Sequence, residues 1–167
     1  SSAASDVYKR QEKGLKKQED FETAIDLTID AFIPDTYISN EYQKLDIYKR
    51  IAGIESQQDY DDMLEELLDR FGEMPKAVLN LLAIARMKAL AHLSYVTEIK
   101  QLGRDMRITL YEKAHIDPAG IPVLMQKYRR GLQFKAEQEP KFIYTPQGRP
   151  LEALTDFLTE LNSLVEE

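Results

Sequence analysis

The stretch SQQDYDDMLEELLDRFG, residues 56–72, carries an uninterrupted apolar stripe. Its apolar residues recur at i, i+3, i+4, i+7, i+8 and i+11, which is the period of one face of an α-helix. Gly72 suits the left-handed position that follows a helix end. We therefore predict a helix over residues 56–71. Its predicted inner face is Tyr60, Met63, Leu64, Leu67, Leu68 and Phe71.

The opposite face of this helix is acidic. From Glu55 to Asp69 the sequence has seven acidic residues and no basic one. Asp62, Glu66 and Asp69 stand at i, i+4 and i+7, so they form a line that points away from the apolar stripe. A run of like charge is usually a solvated face, and the residues alone favour that interpretation. The alternative is a docking strip for arginines of a partner, because guanidinium groups bind carboxylates in bidentate fashion.

The residues that follow predict a long helix and then a hairpin. Pro75 opens a helix over residues 76–93 whose apolar side chains lie on nearly all faces, which is typical of a buried central helix. Residues 95–102 and 106–112 are predicted strands, joined by the three-residue loop Gly103-Arg104-Asp105.

The last third of the chain predicts two further helices and a second strand pair. Asp117 and Pro118 begin a helix that Gly131 ends. Residues 132–136 and 142–145 are predicted strands. An amphipathic helix over residues 150–165 closes the chain.

Upstream of the acidic helix, the pattern predicts a strand and one more helix. Apolar and polar residues alternate from Ala24 to Ile33, which indicates a strand with one wet face that Pro34 ends. Ser39 or Asn40 caps a helix that runs to about Gly53. Its predicted inner face is Leu45, Tyr48, Ile51 and Ala52.

These elements predict an α+β fold, or an irregular α/β sandwich. Helices and short, largely antiparallel strands surround a central helix, and no regular βαβ repeat is evident. Residues 1–20 are polar and are interpreted as a flexible tail or linker stub, and residues 21–167 as a single domain.

Composition narrows the function classes. The net charge of −7 disfavours binding to nucleic acid, which relies on clustered Lys and Arg, and favours a protein partner. The chain has no cysteine, so disulfides and thiol catalysis are excluded. No apolar run is long enough to span a membrane, and no signal peptide is visible.

Motifs for catalysis or cofactor binding are not evident. The seven glycines have neither Walker nor dinucleotide spacing, and His92 and His115 stand far apart without a spaced partner. We therefore predict no catalytic, cofactor-binding or metal site in this chain.

Several strings in the sequence resemble the C-terminal domain of bacterial transcription-repair coupling factors, the Mfd family. The string of residues 67–72, LLDRFG, with Pro75 three residues on, carries the resemblance best. The strings FIPD at residues 32–35, YKRI at 48–51 and LLAIAR at 81–86 follow the family's order. The resemblance covers residues 22 to the C-terminus and thins past Leu102.

The resemblance implies a function for the chain. Full-length members of the family are ATP-driven DNA translocases of the bacterial cytoplasm that displace stalled RNA polymerase and recruit nucleotide excision repair through UvrA. ATP and Mg belong to a motor upstream of this domain. The C-terminal domain docks on a UvrB-like module of the same protein, masks its UvrA-binding face and represses the motor.

The resemblance also assigns interaction residues. Glu66 and Asp69 match positions that face arginines on the UvrB-like module, and Asp62 continues the same line. Arg70 matches the motif as well, and we expect it to lay its stem along the helix and pair with a nearby acid.

Two other function classes stay open. One is a nucleic-acid-binding accessory domain, for which the candidate residues are Lys49, Arg50, Lys127, Arg129 and Arg130. The other is a small enzyme that uses an acid pair not recognisable from its spacing.

Overall fold

The structure is a computed structural model that describes residues 21–166, so the predicted tail, residues 1–20, lies outside the described residues. In chain order the elements are β1 (Ala24–Asp26), α1 (Glu41–Ala52), α2 (Gln57–Phe71), α3 (Lys76–Leu93), β2 (Val96–Leu102), β3 (Asp105–Leu110), α4 (Gly120–Tyr128), a 3-10 turn (Arg129–Gly131), β4 (Leu132–Lys135), β5 (Lys141–Tyr144) and α5 (Pro150–Asn162).

The strands form one mixed five-stranded sheet in the order β1-β2-β3-β5-β4. β1 pairs with β2 in parallel, and the other three pairings are antiparallel. Ile99, Ile108, Phe142 and Phe134 lie side by side across the four antiparallel strands and belong to the core beneath the sheet. The predicted α+β class is therefore confirmed.

Two hydrophobic cores lie side by side, and α3 belongs to both. The first core joins α1, α2 and the first half of α3, with Leu67, Val78 and Leu82 fully buried. The second core joins the second half of α3, through Met87 and Ala91, to the sheet, α4 and α5. The prediction that residues 76–93 form the central helix is confirmed in its bounds and in its burial on two sides, although Leu79 and Leu93 are exposed.

The predicted strand over residues 24–33 is wrong in length. Side chains alternate between more and less exposed all the way to Ile33, as the sequence indicates, but only Ala24–Asp26 pairs with another strand. Beyond Asp26 the backbone amides find other acceptors. Thr28 N donates to Gln101 Oε1 (2.9 Å), Phe32 N to the Ala77 carbonyl (3.3 Å) and Ile33 N to Tyr48 Oη (2.7 Å).

The predicted inner faces of α1 and α2 need correction. In α1 the buried residues are Ile47 and Ile51, whereas Leu45 is 57% exposed and Ala52 is exposed as well. In α2, Leu68 is 54% exposed although it continues the apolar spacing. Both helices carry apolar residues over more of their circumference than the first core covers, so apolar spacing alone does not fix which edge is buried.

Three shorter corrections concern turns and helix ends. The hairpin loop has two residues, not three, because Leu102 pairs with Asp105, and Gly103 takes a positive φ of 66° in that loop. The fourth helix ends at Tyr128, and Gly131 belongs to the 3-10 turn. The closing helix ends at Asn162, and Val165 instead forms a β-bridge with Ile116.

No helix in residues 21–166 is long and apolar enough to cross a membrane.

Leu67 and Leu68 give a matched test of the phase of α2. Leu67 is fully buried in the first core and its neighbour Leu68 is 54% exposed. Leu67→Ala should lower the free energy of unfolding by about 2–5 kcal/mol, the usual cost of emptying a buried leucine site. Leu68→Ala should stay within about 0.5 kcal/mol, as exposed substitutions do. Urea denaturation of the two variants measures both values, and equal losses would show that α2 is rotated.

Candidate functional site

Helix α2 presents the acidic face and is fixed at both ends by its own sequence. Ser56 is the N-cap, and its side-chain oxygen accepts from Asp59 N at 3.1 Å. The Asp59 carboxylate in turn accepts from Glu55 N at 3.0 Å, so Asp59 N and Glu55 N both have side-chain acceptors at this end of the helix. Gly72 ends the helix with φ 84°, which glycine adopts without strain.

Asp62 and Asp69 are exposed, as the helical spacing predicts. The Asp62 carboxylate accepts one hydrogen bond, from Gln58 Nε2 at 2.7 Å one turn earlier. Within residues 21–166 no hydrogen bond or ion pair involves the side chain of Asp69. Asp69 therefore offers both of its carboxylate oxygens to solvent or to a partner.

Glu66 differs from its two neighbours, because it is already paired. Its side chain is 29% exposed and turns towards α1. Arg50 of α1 binds it end-on, with Nη1–Oε2 and Nη2–Oε1 distances of 2.5 Å. Glu66 therefore also lies outside the apolar core, but it is not a free carboxylate, because it bridges α1 and α2.

Arg70 is the third member of this ion cluster, which comprises Arg50, Glu66 and Arg70. Its Nη1 lies 2.8 Å from Glu66 Oε2, one helical turn away, and its guanidinium lies 4.9 Å from the centre of the Phe71 ring. The prediction that Arg70 pairs with a nearby acid is confirmed. Two guanidinium groups on one carboxylate hold the pKa of Glu66 at about 2, with hydrogen bonds from Arg50 and then Arg70 as the main causes.

Sequence reasoning missed the role of Arg50, because the residue lies 16 positions before Glu66 on another helix. From the sequence alone, Arg50 groups instead with Lys49, Lys127, Arg129 and Arg130 as a possible nucleic-acid site. The structure places Lys49 and Arg50 on α1, Lys127 on α4, and Arg129 and Arg130 in the 3-10 turn that follows α4. Arg50 is neutralised by Glu66, and Lys127 pairs with Glu160.

The two histidines contact neighbouring side chains. His92 Nδ1 lies 3.2 Å from Thr23 Oγ1, and the Thr23 hydroxyl donates to the Val96 carbonyl at 2.6 Å. His92 also lies on the wall of a groove of about 900 Å³ between α1 and α3. The His115 ring packs edge-on against Tyr95, with ring centres 5.7 Å apart. Within residues 21–166 no group of three or more His, Asp or Glu residues is placed to hold a metal ion.

Comparison with known proteins places this geometry in a family. The family model described as "TRCF domain" matches residues 27–121, a span that contains all of α1, α2 and α3 and both members of the Arg50–Glu66 pair. The chain belongs to the TRCF domain family.

The similar proteins are named as members of the family that the sequence resembles. The chain is 36% identical over 120 residues to the transcription-repair-coupling factor of Bacillus subtilis, which covers 72% of this chain and 10% of that protein. It is 38% identical over 106 residues to the transcription-repair-coupling factor of Staphylococcus aureus strain USA300, covering 62% and 9%. The chain thus spans about a tenth of the length of the curated relatives it matches.

A solved structure has the same fold. A crystal structure described as the C-terminal domain of transcription-repair coupling factor superposes with a TM-score of 0.68 at 28% identity, covering 86% of this chain and 94% of that one. The resemblance drawn from the LLDRFG string is therefore confirmed, and it extends over the fold as a whole.

The Glu66 pairing predicts a pH dependence of stability. The pKa of Glu66 is lowered from 4.5 to about 2, so its ion pairs stabilise the fold fully above pH 4.5 and are lost as the pH falls through 2. Glu66→Gln cannot ionise and should be less stable than the wild type at pH 7, by about 0.5–1 kcal/mol for a half-exposed bidentate pair. Urea denaturation from pH 7 to 2 should show this difference narrowing below pH 4.5. A constant difference would contradict the assigned pairing.

Proposed function

We propose that this chain is the regulatory interaction domain of an ATP-dependent DNA translocase that displaces stalled RNA polymerase and recruits nucleotide excision repair. The domain docks through the acidic face of α2 on a UvrB-like module of the same protein. Docking masks the surface that binds UvrA and represses the motor. The observation that carries this proposal is the exposed, unpaired Asp69 beside Glu66 and Asp62, within the string that marks the family.

The charge of the face supports a protein partner. Asp62 and Asp69 are exposed carboxylates on one side of a rigid helix, and an arginine fork is the group that binds a carboxylate with two parallel hydrogen bonds. Nucleic acid is a poor ligand for such a face, because phosphates and carboxylates repel. The proposed role for the domain itself therefore needs no cofactor; ATP and Mg act in the upstream motor.

The proposed repression follows the ordinary rules of linkage. UvrA binds only the open state, in which the UvrA-binding surface of the UvrB-like module is uncovered. The apparent affinity for UvrA is therefore proportional to the fraction of molecules that are open, and docking of this domain lowers it. UvrA binding in turn favours release of the domain. A change that weakens docking therefore strengthens UvrA binding and raises the basal rate of ATP hydrolysis together.

Asp69 is the residue on which docking can be tested without disturbing the fold. In the full-length protein, Asp69→Asn combined with Asp62→Asn should tighten UvrA binding and raise basal ATP hydrolysis. Loss of a hydrogen-bonded charge pair buried at an interface costs on the order of 2 kcal/mol or more, about 30-fold in the docking equilibrium. Stability of the domain should change by no more than about 0.5 kcal/mol, since both residues are exposed.

Asp61 supplies the control for this experiment. It is an exposed acid on the same helix, about 100° away from Asp62, so Asp61→Asn removes one negative charge, half of what the double variant removes, outside the proposed contact. The control variant should leave UvrA affinity unchanged. If the double variant behaves like the control, the acidic face is a solvated surface and the docking proposal fails.

A further inference from the structure

Glu66 is occupied before any partner arrives. Arg50 donates one hydrogen bond to each of its carboxylate oxygens, both at 2.5 Å, and Arg70 adds a third at 2.8 Å. A carboxylate has room for one guanidinium bound end-on through both oxygens. When a partner arginine approaches the acidic face, the Asp69 carboxylate is therefore available to it, whereas the Glu66 carboxylate is already hydrogen-bonded to Arg50 and Arg70.

We propose that Arg50 is an internal stand-in for a partner arginine, and that docking on the acidic face proceeds by exchange of arginines on Glu66. This inference rests on the proposed docking function and adds how that function is regulated. The partner arginine takes the end-on position on Glu66, and the Arg50 guanidinium rotates out into the solvent. The end-on geometry selects a guanidinium over the point charge of a lysine.

Exposure makes such an exchange feasible. The side chain of Arg50 is 41% exposed, so its guanidinium can leave without movement of α1. The Glu66 side chain is only 29% exposed, and in both the docked and the released state an arginine satisfies it. In the released domain Arg50 therefore keeps Glu66 paired, which avoids the free-energy cost of an unpaired, partly desolvated carboxylate.

The exchange also weakens docking, because the partner must displace Arg50 before it gains Glu66. The two halves of one ion pair then have opposite effects on repression. Removing Glu66 removes a docking contact and releases the domain. Removing Arg50 removes a competitor and tightens docking. If the pair served only to stabilise the fold, both removals would loosen the domain and act in the same direction.

The test compares Arg50→Gln and Glu66→Gln in the full-length protein, with Lys49→Gln as the control for charge. Lys49 is exposed, adjacent to Arg50 on α1, and forms no ion pair within the described residues. Apparent UvrA affinity is the readout, because it scales with the open fraction even when most molecules are closed. Arg50→Gln should weaken UvrA binding about two- to fivefold, the range of one exposed ion pair. Glu66→Gln should strengthen it, and Lys49→Gln should leave it unchanged.

Two further variants separate the possible failures. Arg50→Lys keeps the charge but loses the end-on fork, so it should shift UvrA affinity in the same direction as Arg50→Gln and by less. If Asp69→Asn has no effect on UvrA affinity, docking itself fails and the exchange fails with it. If Asp69→Asn strengthens UvrA binding but Arg50→Gln and Arg50→Lys strengthen it too, or leave it unchanged, docking stands and the arginine exchange is overturned.

Discussion

The fold depends on the burial of α3 from two sides. Leu82 lies in the core shared with α1 and α2, and Met87 and Ala91 lie in the core shared with the sheet and α5. Both cores pack on this one helix, which at 18 residues is the longest helix in the described part of the chain. The all-round apolar surface of α3 is therefore what joins a three-helix half and a sheet half into one body.

The ion cluster of Arg50, Glu66 and Arg70 lies at the surface of the three-helix half. It joins α1 to α2 through partly exposed charges, where ion pairs contribute little to stability and are readily replaced by others. The buried contacts of Ile47 and Leu67 hold the two helices together beneath it. Because the apolar core carries the packing, the proposed exchange of arginines on Glu66 would leave the two helices packed together.

Sequence periodicity predicted α2 and α3 well, since their apolar spacing is long and their ends carry a glycine and a proline. It predicted the exposure of Asp62 and Asp69 for the same reason. It could not predict that Glu66 binds Arg50, because side chains 16 positions apart meet only through the packing of two helices. The same limit explains Leu45 and Leu68, whose exposure depends on how far the neighbouring helices reach around each stripe.

The extended segment between β1 and α1 has side chains of alternating burial but pairs with no strand, and this affects how its backbone hydrogen bonds open. Its amides are held by the side chains of Gln101 and Tyr48 and by the carbonyl of Ala77, one bond at a time. The hydrogen bonds between paired strands open together, when the strands separate. Isolated hydrogen bonds such as these open one at a time, through small local fluctuations. We therefore expect the backbone amides between Asp26 and Ile33, where the chain crosses from the sheet half to the three-helix half, to have low protection against hydrogen exchange. Solvent deuterium should enter there well before it reaches the paired strands on either side of Gly103.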